Sequence, residues 1–300
     1  MGAKNGIDTL ASWRGFKAHP AWDGYWHAKA MQKVWPVPNV AVLNVGGYWD
    51  QEDVLGPQEA YRTLEKADTK RWNHIERPWF ANWLHGDGSA TFAEANVFEV
   101  GSNAWRTFDA WPPKEAKGAK LYLHNDGKLS FGAPTVAGRT SYTSDPKRPV
   151  PYIARPVDGT RWRQWLVEDQ RFVHNRPDVV SWESEPLAGD AKLGGYQLMV
   201  AGDIMRGRYY KRFSAPRPIP IPANAVTPFT VDLHEQTYRF LRGHRMMVQV
   251  QSSWFPLYDR NPQTWVPNIL EAKVSDFRSQ LHTIHHGPRS ASYVAVSVLP

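Results

Sequence analysis

The densest group of reactive side chains is Gly46-Gly47-Tyr48-Trp49-Asp50-Gln51-Glu52-Asp53, where three carboxylates fall within four residues. Carboxylates this close repel one another, and a cation between them relieves the repulsion. The cluster therefore suits recognition of an ammonium group, a metal ion or an imidazolium. A structural role competes with that reading, since acidic residues in the first turn of a following helix complement its N-terminal partial charge. His282, His285 and His286 could chelate a metal if they converged. Neighbouring residues of a strand point to opposite faces, so at most two of them can share a ligand set, and structural roles are expected. Arg206, Arg208, Lys211 and Arg212, interleaved with Tyr209 and Tyr210, form the densest basic cluster. It could meet phosphates with its tyrosines stacked on bases. Without a nucleic-acid motif beside it, a solvated face whose arginine stems cover apolar surface is the expected reading.

Elements that would position the acidic segment can be read on both sides of it. Val40-Ala-Val-Leu-Asn-Val45 is an almost wholly apolar run ending in Gly46-Gly47, which predicts a central strand covered on both faces. Pro57 suits the first position of a helix whose apolar face is Tyr61, Leu64 and Ala67. The order strand, acidic loop, helix places the carboxylates at the carboxyl edge of a sheet, where open α/β folds bind ligands. Helical spacing recurs over residues 22–34 (Trp22, Tyr25, Trp26, Ala30, Val34) and about residues 74–84 (Ile75, Trp79, Phe80, Trp83, Leu84).

Beyond residue 95 the pattern turns to strands and turns. Leu121-Tyr-Leu-His and Lys128-Leu-Ser-Phe flank Asn125-Asp126-Gly127, a hairpin signal because Asp-Gly supplies the positive φ of a tight turn. Val248 and Val250 alternate with Gln249 and Gln251, and Tyr293–Val298 gives a last strand. Short strands separated by proline-rich connectors predict an antiparallel sandwich, a jelly roll among the candidates.

Composition narrows the chemistry. The 300 residues contain no cysteine, which excludes thiolate nucleophiles, zinc-thiolate sites and iron–sulfur clusters. The formal net charge of +7 is modest for this length and argues against a polybasic nucleic-acid arm. The longest charge-free stretch, Val34–Trp49, is broken by Pro36 and Pro38 and is shorter than the ~20 residues of a spanning helix. No secretory leader is read at the N-terminus, so a soluble protein of cytoplasm or bacterial periplasm is expected, the compartment staying open. The 15 tryptophans admit a sugar-stacking surface, although core and interface filling is the commoner use.

Residues 38–60 resemble the acid-residue segment of the CocE/NonD-type serine hydrolases. That family includes α-amino-acid ester hydrolases, glutaryl-cephalosporin acylases and Xaa-Pro dipeptidyl-peptidases. The similarity continues through Asn96-Val-Phe-Glu-Val-Gly-Ser-Asn-Ala-Trp105, Phe108-Asp-Ala-Trp-Pro-Pro113, Ser144-Asp-Pro-Lys-Arg-Pro-Val-Pro151 and Arg176-Pro-Asp-Val179. It runs on through Ser184-Glu-Pro-Leu187, Arg206-Gly-Arg208 and the long block Gly243–Gln263. The resemblance implies a mixed α/β plus all-β fold: a remnant of an α/β-hydrolase domain followed by a C-terminal antiparallel jelly-roll β-sandwich. The expected boundaries are 1–94 for the partial α/β-hydrolase domain with a cap remnant, and 95–300 for the sandwich.

The same resemblance makes Asp50 the acid of a Ser-Asp-His triad, which holds the imidazole's tautomer and stabilises the imidazolium. It makes Glu52 and Asp53 substrate-binding residues for an α-ammonium. It implies neither metal nor cofactor, and partners that are small-molecule esters, amides or short peptides. Nucleic acid and membrane are not expected partners, and a homo-oligomer is left open.

Three departures from the family pattern accompany these matches. No Gly-x-Ser-x-Gly elbow occurs in the 300 residues, and Ser12 is the one serine before Asp50. The family's Gly-Pro-Trp-x-His segment is not found where residues 71–80 would hold it; His85, after Pro78-Trp79, is the nearest substitute. A third gap is expected between Leu187 and Gly194. The expectation is a hydrolase-family chain for acyl transfer from esters or amides of α-amino acids or peptides, inactive by itself without a recognisable nucleophile and base. The alternative is a non-catalytic β-sandwich module that binds carbohydrate or peptide.

Overall fold

The computed structural model describes residues 6–31, 36, 40–42, 44, 46–47, 55–64, 76–86, 88, 91–157, 164–188, 197–211 and 217–299. Helices lie mainly in the first part: α1 (Ala11–Ala18), α2 (Gly24–His27), α3 (Leu55–Leu64), α4 (Glu76–Phe80) and, later, α5 (Arg171–His174). Nine strands follow from residue 95: β1 (Ala95–Glu99), β2 (Ala104–Phe108), β3 (Lys117–Leu123), β4 (Leu129–Ser130), β5 (Gly138–Ser144), β6 (Val180–Glu183), β7 (Met247–Val250), β8 (Gln280–His286) and β9 (Tyr293–Val298). They form four small antiparallel sheets, β1-β2, β4-β3-β9, β5-β8 and β6-β7. Among the described residues no helix is long and apolar enough to cross a membrane.

The expected hairpin forms between β3 and β4. Gly127 takes φ +80°, its N–H reaches the His124 carbonyl at 3.2 Å, and the register sets Leu123 opposite Leu129. That pairing starts the main core, where Leu121, Leu123, Leu129 and Trp182 are buried and Val180, Met246, Val248, Val250, Ile284 and Val294 pack around them. The alternation read in β7 is thus realised: Val248 and Val250 meet the same core. This one cluster joins strands of three sheets, so no sheet needs to be stable alone.

Two helical expectations and one strand expectation are corrected. Within the expected helix 22–34, of which residues 22–31 are described, the one α-helix is the four-residue α2, capped by the Asp23 carboxylate on the Tyr25 N–H at 3.0 Å. Trp26 turns back instead, donating its indole N–H to the His19 carbonyl at 2.8 Å and stacking on Phe16. The run Val40–Val45 joins no ladder at its described residues 40–42 and 44, and Val40 is 65% exposed. The helix of 74–84 begins as α4 but passes into a π-turn, Ala81–His85, ended by Gly86 in the left-handed region. The wider turn rotates later side chains off the Trp79 side. Trp79 is buried, whereas Phe80, Trp83 and Leu84 are exposed.

The basic cluster at 206–212 ties distant segments together. Arg206 donates to the Pro20 carbonyl at 3.0 Å, and Arg208 donates to Val266 at 2.8 Å while lying over the Trp265 ring. Tyr209 and Tyr210 are buried. Arg206 and Arg208 therefore satisfy backbone carbonyls, and the two tyrosines are buried, while Lys211 is exposed; Arg212 lies outside the described residues.

Candidate functional site

Asp50, Glu52 and Asp53 lie outside the described residues, but both ends of their loop are described. Asn44, before the loop, donates its side-chain amide to the Pro57 carbonyl in α3 at 2.7 Å. A Cβ on Gly46 would stand 2.6 Å from the Pro57 Cβ, so only glycine lets the incoming chain pass this close. The described residues on the two sides of the acidic segment therefore lie against each other.

Helix α3 is in turn anchored to the strand region. Arg62 pairs with Glu235 at 2.6 Å and with Glu59, Gln58 donates to the Glu235 carbonyl at 3.3 Å, and Trp111 donates its indole N–H to Glu235 at 2.5 Å. Tyr61 is buried, as expected from its place on the helix face, and its hydroxyl reaches Glu94 at 3.4 Å. Leu55, the first residue of α3, faces the same open surface as Trp111, Tyr209 and His234. Replacing Asn44 by alanine removes the staple and leaves the Pro57 carbonyl without that donor. The expected cost is about 1 kcal/mol, and amide exchange should rise in residues 46–57 while β3 and β9 keep their protection. Unchanged exchange in that loop would show that the staple does not hold it.

Among the described residues, the serine and histidine singled out by sequence do not meet. Ser12 is exposed on α1, and His85 is exposed at the end of the π-turn; neither is hydrogen-bonded to the other or to a carboxylate among the described residues. His124 does meet a serine, Ser130, at 2.9 Å, but no carboxylate is bonded to that imidazole among the described residues. His282 and His286 point inward from β8, bonded to Gln263 at 2.7 Å and Thr140 at 2.9 Å. Burial lowers the pKa of both, as expected for neutral structural imidazoles. His285 lies on the opposite face, as strand alternation requires.

Sequence reasoning missed two groups of charged residues. His19 pairs with Asp23 at 2.8 Å and His234 with Asp203 at 2.9 Å, the latter histidine held in the left-handed region at φ +59°. Glu99, 5% exposed, accepts from Arg239 at 2.6 Å, Ser102 at 2.6 Å and Arg106 at 2.9 Å. Burial alone pushes the Glu99 pKa upward; the Arg239, Ser102 and Arg106 hydrogen bonds overcome it and hold the carboxyl at about 2. The signal for this group was a glutamate at the inward parity of β1, after Ala95 and Val97, with Arg106 opposite Val97 in the ladder.

Known proteins place these features in context. Residues 204–295 match the X-Pro dipeptidyl-peptidase C-terminal non-catalytic domain. These matches support the CocE/NonD hydrolase family for this chain. It is 27% identical over 300 residues to the cocaine esterase of Rhodococcus sp. (strain MB1 Bresler), covering 85% of this chain and 51% of that protein. An aminopeptidase from a marine sediment Thaumarchaeota archaeon superposes with a TM-score of 0.91 at 31% identity, over 100% of this chain and 62% of that one. A selenomethionine-labelled α-amino acid ester hydrolase superposes with a TM-score of 0.87 at 32% identity, over 97% and 61%. The chain thus spans about half the length of the curated relative and about three fifths of the solved ones.

Proposed function

We propose that this chain carries the acid-loop part and the C-terminal jelly roll of a serine hydrolase for esters or amides bearing an α-amino group. In this reading Asp50 steadies a catalytic imidazole, and Glu52 with Asp53 receives the substrate's ammonium. The observation that supports it is that Asn44 and Gly46, just before the acidic segment, close on Pro57, just after it. The printed names of the relatives, an aminopeptidase and an α-amino acid ester hydrolase among them, fit a substrate with a free amine next to the scissile bond. Residues 1–94 would be the hydrolase part and 95–300 the sandwich, with the four small antiparallel sheets of the second part supporting that division.

An orienting aspartate acts only with the nucleophile and base it serves. These 300 residues contain no serine elbow, and the purified chain is expected to turn over neither p-nitrophenyl acetate nor an amino-acid methyl ester above background. A rate that survives Ser12→Ala but is lost in both Asp50→Ala and His85→Ala would overturn that expectation. Ammonium recognition is tested separately by titrating an amino-acid amide and its des-amino analogue. At least tenfold tighter binding of the amine, lost in the Glu52→Gln/Asp53→Asn double variant, supports the acid-loop reading; equal binding refutes it.

A further inference from the structure

Among the described residues, strands β5 and β8 pair only with each other, so no ladder ties this two-stranded sheet to its neighbours. Strand parity sends His282, Ile284 and His286 of β8 to one face, beside Thr140 and Tyr142 of β5. Ile284 packs on the main core, and an imidazole stands on either side of it. His286, 2% exposed, bonds Thr140 at 2.9 Å and meets the Trp182 ring edge to face at 5.5 Å. His282 bonds Gln263 at 2.7 Å and stacks on Tyr142, with ring centroids 5.4 Å apart. The inward face of the sheet thus holds two groups whose charge changes between about pH 5 and pH 8.

Their surroundings disfavour that charge. Among the described residues no carboxylate bonds either imidazole, whereas His19 and His234 have Asp23 and Asp203 at 2.8 and 2.9 Å. The titratable groups nearest His286 are His124, beyond the end of β3, and His285, its neighbour in β8. Burial lowers the His286 pKa; the Leu123 backbone opposes the fall, and His285 and His124 add to it. Burial alone lowers that of His282. Gln263 beside His282 is neutral and meets Arg278 only through the latter's carbonyl. Asp178 lies near Tyr142, but its carboxylate is already held by Arg176 at 2.8 and 2.7 Å.

We infer that His282 and His286 are an acid-sensitive latch: while both are neutral the β5-β8 sheet stays closed on the core, and when they take up protons it opens as a unit while β4-β3-β9 keeps its ladder. The direction follows from linkage. A histidine whose pKa is lower in the closed state gives stability that is full above the ordinary 6.5 and is lost as pH falls below it. One pH unit below that value, each histidine barred from its proton favours the open state about tenfold, and the two together up to about a hundredfold. Glu99 titrates lower, from about 4.5 toward 2, so the two acid effects separate.

Amide hydrogen exchange of the full chain at pH 7.5 and pH 5.5, corrected for the intrinsic effect of pH on exchange, reads the latch directly. Protection in β5 and β8 is expected to fall at least tenfold at the lower pH, and in β3 and β9 less than threefold. The His282→Gln/His286→Gln double variant keeps neutral hydrogen-bonding side chains but cannot titrate there. Its protection in β5 and β8 should differ less than threefold between the two pH values, whatever its level at pH 7.5. His285→Gln, on the same strand but the opposite face, should keep the fall. Should the double variant not fold, each single variant is expected to show a fall at least threefold smaller than the unsubstituted chain. Equal protection at both pH values in the unsubstituted chain overturns the inference. So does a fall shared equally by β3 and β9, or one that persists undiminished when the latch histidines are replaced.

Discussion

Replacing Trp182 by alanine is expected to destabilise the chain by about 3–5 kcal/mol, the range for deleting a buried aromatic side chain. The indole is 1% exposed and sits among Leu121, Leu123 and Leu129, with Val248, Ile284 and Val294 around them. It fills space shared by three sheets, so a cavity there loosens all of them at once. Its ring also meets His286 edge to face at 5.5 Å, and its N–H donates to the His124 carbonyl at 2.9 Å in the β3–β4 turn. Trp182→Phe separates these contributions: most of the packing stays and one hydrogen bond is lost, for an expected cost of about 1–2 kcal/mol. Urea unfolding followed by circular dichroism measures both. A cost below about 1 kcal/mol for the alanine variant would show that the cluster is not the centre of stability.

Among the carboxylates, acid should act first through Glu99. Its carboxyl titrates at about 2 in the folded chain against an ordinary 4.5, so the folded state favours the ionised form. A lowered pKa gives stability that is fully present above the ordinary value and is lost as pH falls from about 4.5 toward 2. The difference corresponds to roughly 3 kcal/mol. Glu99→Gln should lower stability by about that amount at pH 7 and flatten its dependence below pH 5. Arg106 and Arg239 would then lack their shared anion; Arg239 is half-exposed and can turn to water, whereas Arg106 has less freedom. Thermal unfolding of both proteins from pH 7 to pH 2.5 is the measurement. Parallel curves would remove Glu99 from the account of acid stability.

Features carried by neighbouring residues were legible in the sequence. The Asp126-Gly127 turn, the alternation of β7, the Tyr293–Val298 strand and the buried Tyr61 of α3 each rest on local chemistry, and each appears in the structure, whereas Ala67 on the same expected face lies outside the described residues. The family relation was legible too, because it is spread over motifs in one order. What failed depends on distant partners. Residues 22–34 have helical spacing, yet Trp26 finds its hydrogen bond seven residues back and the helix stops after four residues. The π-turn at 81–85 breaks a pattern that assumes 3.6 residues per turn. Pairing of β5 with β8 joins Thr140 to Ile284, a separation at which no periodicity carries information. For the candidate site, the loop stem was readable from Gly46 and Pro57, whereas the Glu235 anchor of α3 comes from a segment with no helix or strand pattern of its own.

The matched segment 204–295 has an awkward relation to the ladders. It contains β7, β8 and the first half of β9, whose partners β6, β5 and β3 all precede it. Among the described residues, none of its strands pairs with another strand inside its own limits. Excised at residue 204, the segment would retain no ladder of the native sheets, and its valines would lose the leucines and tryptophan they cover. What recurs among relatives as a stretch of sequence is here only half of a folding unit, so swapping it between proteins would require its earlier half to travel with it.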